Sequence, residues 1–251
     1  MIEEKFAEGR SFIHKLDPKI RIIASIVLSF AAALCDNFYI SLGYFIISII
    51  LITLAGLNRV DVLKRLKPLF WFLLMIWIIL PVTFDGEILY RYHWLKITGP
   101  GVILSCNITI KSISILLVFT ALIATMTIAA LGNGLHRLYV PDKMVFLLLM
   151  TYRYIFVIEE EYKRLLRAAK FRGFKPGTNV HSYKTFAYLA GMLFVRASLR
   201  AQRVHQAMLC RGFNQKFHTL DDYPPNRLNS IFLMGISVAG LSLVIFEIMW
   251  P

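Results

Sequence analysis

Cysteine, acidic charge and catalytic signatures are all scarce in this sequence. Its three cysteines, Cys35, Cys106 and Cys210, stand far apart in 251 residues. An odd number without C-x-x-C spacing excludes a disulfide framework and a thiolate metal pair, leaving small buried hydrophobes as the reading. Charged residues make up 17% of the chain, well below the roughly 25% of soluble domains. Acidic residues are the rarer sign, 15 Asp and Glu against 28 Lys and Arg, for a net charge of +13. No nucleic-acid-binding module accompanies that charge, so nucleic acid is not an expected partner. No G-x-x-x-x-G-K-[ST] occurs, so the chain does not cradle ATP itself, and no H-E-x-x-H occurs either. The six histidines, His14, His93, His136, His181, His205 and His218, are scattered, and His205 and Cys210, five apart, do not share a helix face. No catalytic residue, metal ligand or cofactor is therefore assigned. The opening MIEEKFAEGR lacks the apolar core of a signal peptide.

What is abundant is apolar sequence, 57% of residues. A helix needs about 20 apolar residues to cross a bilayer core of ~30 Å. Candidate runs are Ile20 to Cys35, Phe38 to Leu57, Leu69 to Phe84, Val102 to Leu131 and Ser230 to Trp250. The fourth is too long for one upright span and holds Lys111, which implies a tilted or broken helix and a charge needing a partner or water. Gly132-Asn133-Gly134 is expected to end it. NRVDVLKRLK at 58–67 reads as a basic connector open to forming an interfacial helix, DGEILYRYHWLKITGPG at 85–101 as a mixed loop, and Asn229 as the N-cap of the last span. Lysine and arginine favour cytoplasmic loops. Lys5, Arg10, Lys15, Lys19 and Arg21 place the N-terminus inside, and residues 58–67, 132–140 and 159–228 are inside by the same count. Residues 140–158, apolar but broken by Lys143 and Arg153, then have both flanks in the cytoplasm and do not simply cross. The expectation is an all-α integral membrane protein with about five transmembrane helices and a cytoplasmic-side module of long crossing helices. Its divisions are 1–140, 141–228 and 229–251.

Within that module one pattern occurs twice. AAKFRGF at 168–174 and AMLCRGF at 207–213 both contain A-x-x-x-R-G-F, 39 residues apart. Spacing of four puts Ala168 and Arg172, and likewise Ala207 and Arg211, on one helix face. Alanine lets another surface approach, and the arginine fork can then pair with a carboxylate there. Gly173 and Gly212 suit the left-handed residue that ends a helix. Phe174 and Phe213 can fold back beyond the end. A single copy would be an ordinary helix stop with a cation at the negative end of the dipole. Two copies suggest two helix tips offering matched cationic hooks.

Paired A-x-x-x-R-G motifs on two cytoplasmic helices resemble those of the T component of energy-coupling factor (ECF) transporters. SFIHKLDPKIRI at 11–22 is similar to that family's S-x-x-H-x-L-D-P-R-x-K, with Lys19 in place of Arg and Arg21 in place of Lys. TYRYIFVIEEEYKRLLRAAKFRG resembles the cobalt-type members, CbiQ, which favour R-Y-hydrophobic-F-V. Vitamin-transporting relatives tend instead to R-F-hydrophobic-P. The resemblance implies a non-catalytic scaffold in the cytoplasmic (inner) membrane. Ala168, Arg172 and Gly173 would dock on one ATP-binding-cassette ATPase, and Ala207, Arg211 and Gly212 on a second. The remainder would hold a substrate-binding membrane subunit, with cobalt, nickel or a vitamin as substrate. Two other classes compete with it. An intramembrane transferase would need a second acidic cluster beside Asp221-Asp222. A stand-alone permease would need a polar path through several spans, where Lys111 and hydroxyl residues are almost all that is offered.

Overall fold

The computed structural model describes residues 6, 9, 11–84, 88–92, 95–214 and 227–249. Two compact units divide them, one running from Leu135 to residue 214 and the other holding residues up to Gly134 together with 227–249.

The larger unit contains α1 (Pro18–Leu34), α2 (Phe38–Ala55), α3 (Arg59–Thr83), α4 (Gly99–Leu122) and α8 (Arg227–Met249). A hairpin of β1 (Ile88–Tyr92) and β2 (Leu95–Thr98) joins α3 to α4. That hairpin replaces the loop expected from its turn signals. Its strands are antiparallel, with a register irregularity between Ile88 and Tyr90. Thr98 ties it to α3, its hydroxyl donating to the carbonyls of Pro81 and Phe84 at 3.2 and 2.9 Å. The remainder of the described fold is helical.

α1 starts as capping chemistry dictates: the Asp17 carboxylate accepts the Lys19 N–H at 3.0 Å and Pro18 holds the first helical position. α2 packs on α4, α4 on α3, and α1 on both α8 and α4. Their shared core is small and aliphatic, with Leu28, Ala31, Ala32, Ala55, Val118 and Ala121 all buried. Ser25, Ser48, Ser105 and Ser114 are buried among them, each hydroxyl donating to a carbonyl three or four residues back at 2.7–2.8 Å. A serine satisfied by its own helix acts as a small residue, which lets helices approach closely in an apolar medium.

Among the described residues, four helices are long and apolar enough to cross a membrane: Phe38–Ala55, Arg59–Thr83, Gly99–Leu122 and Leu228–Ile245. The fifth expected span, α1, has 17 residues, about 25 Å of helix, at the lower limit for spanning. Outward-facing apolar side chains are many; Trp71 is 78% and Phe70 68% exposed. A soluble monomer rarely leaves such a surface uncovered. The chain is a multi-pass membrane protein.

Three boundaries differ from the sequence expectation. The basic connector is helical but not separate: Asn58 precedes α3 and residues 59–67 are its first turns, the helix continuing through Pro68. Asn229 lies inside α8 rather than before it. The fourth run does break, but at 123–127, and Gly132-Asn133-Gly134 lies within the next helix, α5 (Ile128–Arg137). The glycine is there for contact: a Cβ on Gly134 would stand 2.8 Å from Ile22 Cδ1 and 3.1 Å from the Pro18 backbone. Arg21, 3% exposed, secures the break, its Nε donating to Leu122 O at 3.0 Å and its guanidinium to the Thr125 hydroxyl. Lys111 finds its partner at the α1–α2 turn, 3.0 Å from Asp36 Oδ1. Asn107 joins them, donating to Asp36 O at 2.5 Å and accepting from Ser41 at 2.6 Å.

Candidate functional site

The smaller unit is dominated by α6 (Asp142–Phe171) and α7 (Val180–Cys210), of 30 and 31 residues. At 1.5 Å per residue each is about 45 Å long. Asn179 caps α7, its side chain accepting the Ser182 N–H at 2.8 Å. α6 is not among the helices apolar enough to span.

The two run antiparallel. Phe174, beyond the end of α6, packs edge-on against Phe186 near the start of α7, ring centres 5.5 Å apart. Phe213, beyond the end of α7, packs on Phe146 near the start of α6 at 5.2 Å. Each helix end is thus braced by the other helix's beginning. Glu161 ties the pair near the middle, bonded to Arg196 and 4.0 Å from Arg200. The hydrogen bond from Arg196 holds the Glu161 carboxyl below the ordinary carboxylate range. Glu159 and Glu160 instead face Lys163 and Arg164 on their own helix, at 2.5 and 3.8 Å. The sequence carried a partial signal for that difference: four residues after Glu161 comes Leu165, whereas Glu159 and Glu160 have Lys163 and Arg164 at that spacing.

Both A-x-x-x-R-G-F segments close their helices by one geometry. Arg172 has φ −86° and ψ 14°, and Arg211 has φ −90° and ψ 10°. Gly173 and Gly212 follow with φ of +85° and +75°, the left-handed region that disfavours a Cβ. Phe174 N–H reaches back to Ala169 O at 3.1 Å and Gly173 N–H to Lys170 O at 3.0 Å. Phe213 N–H reaches Met208 O at 3.0 Å and Gly212 N–H reaches Leu209 O at 2.9 Å. These are the paired six-to-one and five-to-two bonds of a Schellman ending. The motif therefore encodes a complete stop: alanine one turn in, arginine at the cap, left-handed glycine, and an aromatic anchor.

Ala168, Arg172, Gly173, Ala207, Arg211 and Gly212 are all exposed. Neither arginine has an ion-pair partner among the described residues. Because the helices are antiparallel, the two triplets lie at opposite ends of the pair. Arg211 is 25 residues beyond Phe186, or roughly 38 Å along α7. A depression of about 530 Å³ lies beside the first tip, lined by Ala168, Arg172, Phe174, Tyr188 and Met192. The remaining flank between the helices holds an apolar groove of about 600 Å³, with Phe146, Tyr154, Ile158, Phe194 and Met208 in its walls. His205 lines that groove. Among the described residues no group of three or more His, Cys, Asp or Glu could hold a metal ion. His93, His218 and Asp221-Asp222 lie outside the described residues.

Residues 9–220 match the family described as cobalt transport protein, CbiQ. The chain belongs to that family. Similar proteins carry the name energy-coupling factor transporter transmembrane protein EcfT. The one from Bacillus subtilis is 26% identical over 226 residues, covering 85% of this chain and 84% of that protein. Those from Lacticaseibacillus paracasei and Acidaminococcus fermentans are 25% and 27% identical, over 83% of this chain in each case and 83% and 82% of theirs. The resemblance to T components drawn from the repeated motif and from residues 11–22 is upheld over most of the chain.

Proposed function

We propose that this CbiQ-family protein is the energy-coupling transmembrane subunit of an ECF-type importer and docks two ABC-type ATPases through its two helix tips. The observation that carries this is the congruence of the tips. Two unpaired, exposed arginines stand on the same backbone geometry, at opposite ends of two braced antiparallel helices. A dimer of related subunits presents two related surfaces, and a pair of like hooks separated by tens of ångströms suits it. Each guanidinium would meet a carboxylate or carbonyl group on an ATPase, with Ala168 or Ala207 giving the clearance. Closure of the ATPases would then displace both tips, and Glu161 with Arg196 and Arg200 would make α6 and α7 move as one.

In this reading the protein performs no chemistry and needs no cofactor. Its N-terminus and the 141–228 module are cytoplasmic, and the membrane unit holds a substrate-binding partner. Cobalt ion is the proposed substrate, supported by the family's description and by Arg153-Tyr154-Ile155-Phe156-Val157. The names of the similar EcfT proteins specify no substrate. Nickel or a vitamin is the alternative.

The test is capture of the cognate ATPases by the membrane-inserted chain, comparing native protein with Arg172→Glu, Arg211→Glu and the double change. Loss of capture in the double variant, with insertion intact, is the expected result. Undiminished capture would reduce the arginines to helix ends and remove the main support for docking. Uptake of radioactive cobalt by cells carrying the whole transporter separates the metal from a vitamin.

A further inference from the structure

α3, at 25 residues the longest of the spanning candidates among the described residues, measures about 38 Å. That exceeds a hydrocarbon core of ~30 Å, and the surplus is its basic beginning. Arg59, Lys64, Arg65 and Lys67 stand there against one carboxylate, Asp61. Against this segment α3 and α4 leave a groove of about 490 Å³. Its apolar wall is made by Leu63, Leu66, Phe70 and Leu73 of α3 with Ile113 of α4, and Lys64 and Lys67 belong to the same lining. Residues three apart are neighbours on a helix surface, so both ammonium groups border one groove. Lys64 faces Asp61 Oδ1 at 3.7 Å but its side chain is 72% exposed, and Lys67 has no ion-pair partner among the described residues. Leu63 and Phe70 are themselves exposed.

We propose that this groove is a binding site for an anionic phospholipid. The phosphate is held between Lys64 and Lys67, and an acyl chain lies along Leu66, Phe70 and Leu73. Charge complementarity selects this occupant. A zwitterionic lipid offers the same chain but no net charge for the two lysines, whereas an anionic headgroup satisfies both where the helix leaves the hydrocarbon. The exposed part of the apolar wall, Leu63 and Phe70, needs no protein to cover it, because it faces outward from a spanning helix, while Leu73 forms the buried floor. The site uses none of the tip residues and does not depend on the docking proposal.

The experiment is native mass spectrometry of the full chain released from nanodiscs of mixed dioleoyl-phosphatidylglycerol and dioleoyl-phosphatidylcholine. The native chain should retain phosphatidylglycerol preferentially. Lys64→Gln with Lys67→Gln should weaken that retention about 30-fold, from roughly 1 kcal/mol for each lysine near an anionic surface. Lys175→Gln with Lys184→Gln removes the same charge elsewhere and should leave retention unchanged. Equal loss in both pairs, or no loss in the first, overturns the proposal. On the native chain, a photoactivatable phosphatidylglycerol with a diazirine in its acyl chain should label the peptide spanning Leu66 to Leu73. Labelling confined to other peptides refutes the site whatever the variants do. Unchanged lipid retention with weakened capture of a protein partner by the Lys64/Lys67 pair would make the groove a protein contact instead.

Discussion

Replacing Gly173 by alanine isolates the backbone geometry of a helix tip from its charge. Gly173 sits at φ +85°, and a Cβ added there would meet nothing within 4 Å, so no steric contact with neighbours enters the cost. What enters is the left-handed backbone itself, about 1–2 kcal/mol for an L-residue. Against it stands the ~0.4–1 kcal/mol that alanine contributes by restricting the unfolded chain. The net is about 1 kcal/mol of local destabilisation, roughly a fivefold rise in the open fraction of the last turn. Hydrogen exchange of the amides of Gly173 and Phe174, which bond to Lys170 O and Ala169 O, reads that fraction directly. Gly212→Ala should behave alike, at φ +75° in equally open space. Gly191, inside α7 and also with nothing within 4 Å, is the control: alanine there should stabilise the helix by roughly 0.8–1 kcal/mol. Asparagine at 173 should cost less than alanine, since it tolerates the left-handed region better. Equal and same-signed effects at 173 and 191 would refute the assignment of the tip glycines to a conformational role. Retention of Arg172 with weakened ATPase capture in Gly173→Ala would further show that the hook works only on the correct backbone.

Three more outcomes follow from contacts already described. Gly134→Ala should lower the thermal midpoint in detergent by overpacking α5 on Ile22 and Pro18, at a cost of about 1–3 kcal/mol, because a Cβ would stand 2.8 Å from Ile22 Cδ1. Arg21→Met should destabilise by about 1.5–3 kcal/mol per charged hydrogen bond lost, and exchange should rise first at 122–127, where Leu122 O and Thr125 are its partners. The carboxyls of Glu161 and Glu159 are held below the ordinary value by Arg196 and Lys163 respectively. Their contribution is full above the unfolded carboxylate value and is lost as pH falls through the folded one. Because Glu161 is the one of the two that reaches α7, distances between spin labels on α6 and α7 should broaden on acidification below the ordinary carboxylate range, and Arg196→Gln should remove most of that dependence.

The tips were legible in the sequence because a Schellman ending is local: arginine, glycine and phenylalanine in succession, with alanine one turn before, specify a stop without help from the rest of the chain. The apolar runs were legible for a similar reason, since a bilayer imposes its length on each helix separately. What the sequence hid was long-range. Gly132-Asn133-Gly134 reads as a break by local propensity, yet tertiary contact with Pro18 and Ile22 makes Gly134 a packing residue inside α5. The break falls instead at 123–127, where Arg21 supplies hydrogen bonds from 101 and 104 residues away. Local turn signals likewise obscured the strand pairing of Ile88–Tyr92 with Leu95–Thr98. Asp36 is far from Lys111 in sequence but supplies the counter-charge that a lysine in an apolar run requires. The same distinction assigns the two arginine classes different work. Arg21, Arg196 and Arg200 have partners inside the chain and hold its shape. Arg172 and Arg211, matched in backbone and left exposed, have no ion-pair partner among the described residues, and under the docking proposal another protein would complete their chemistry.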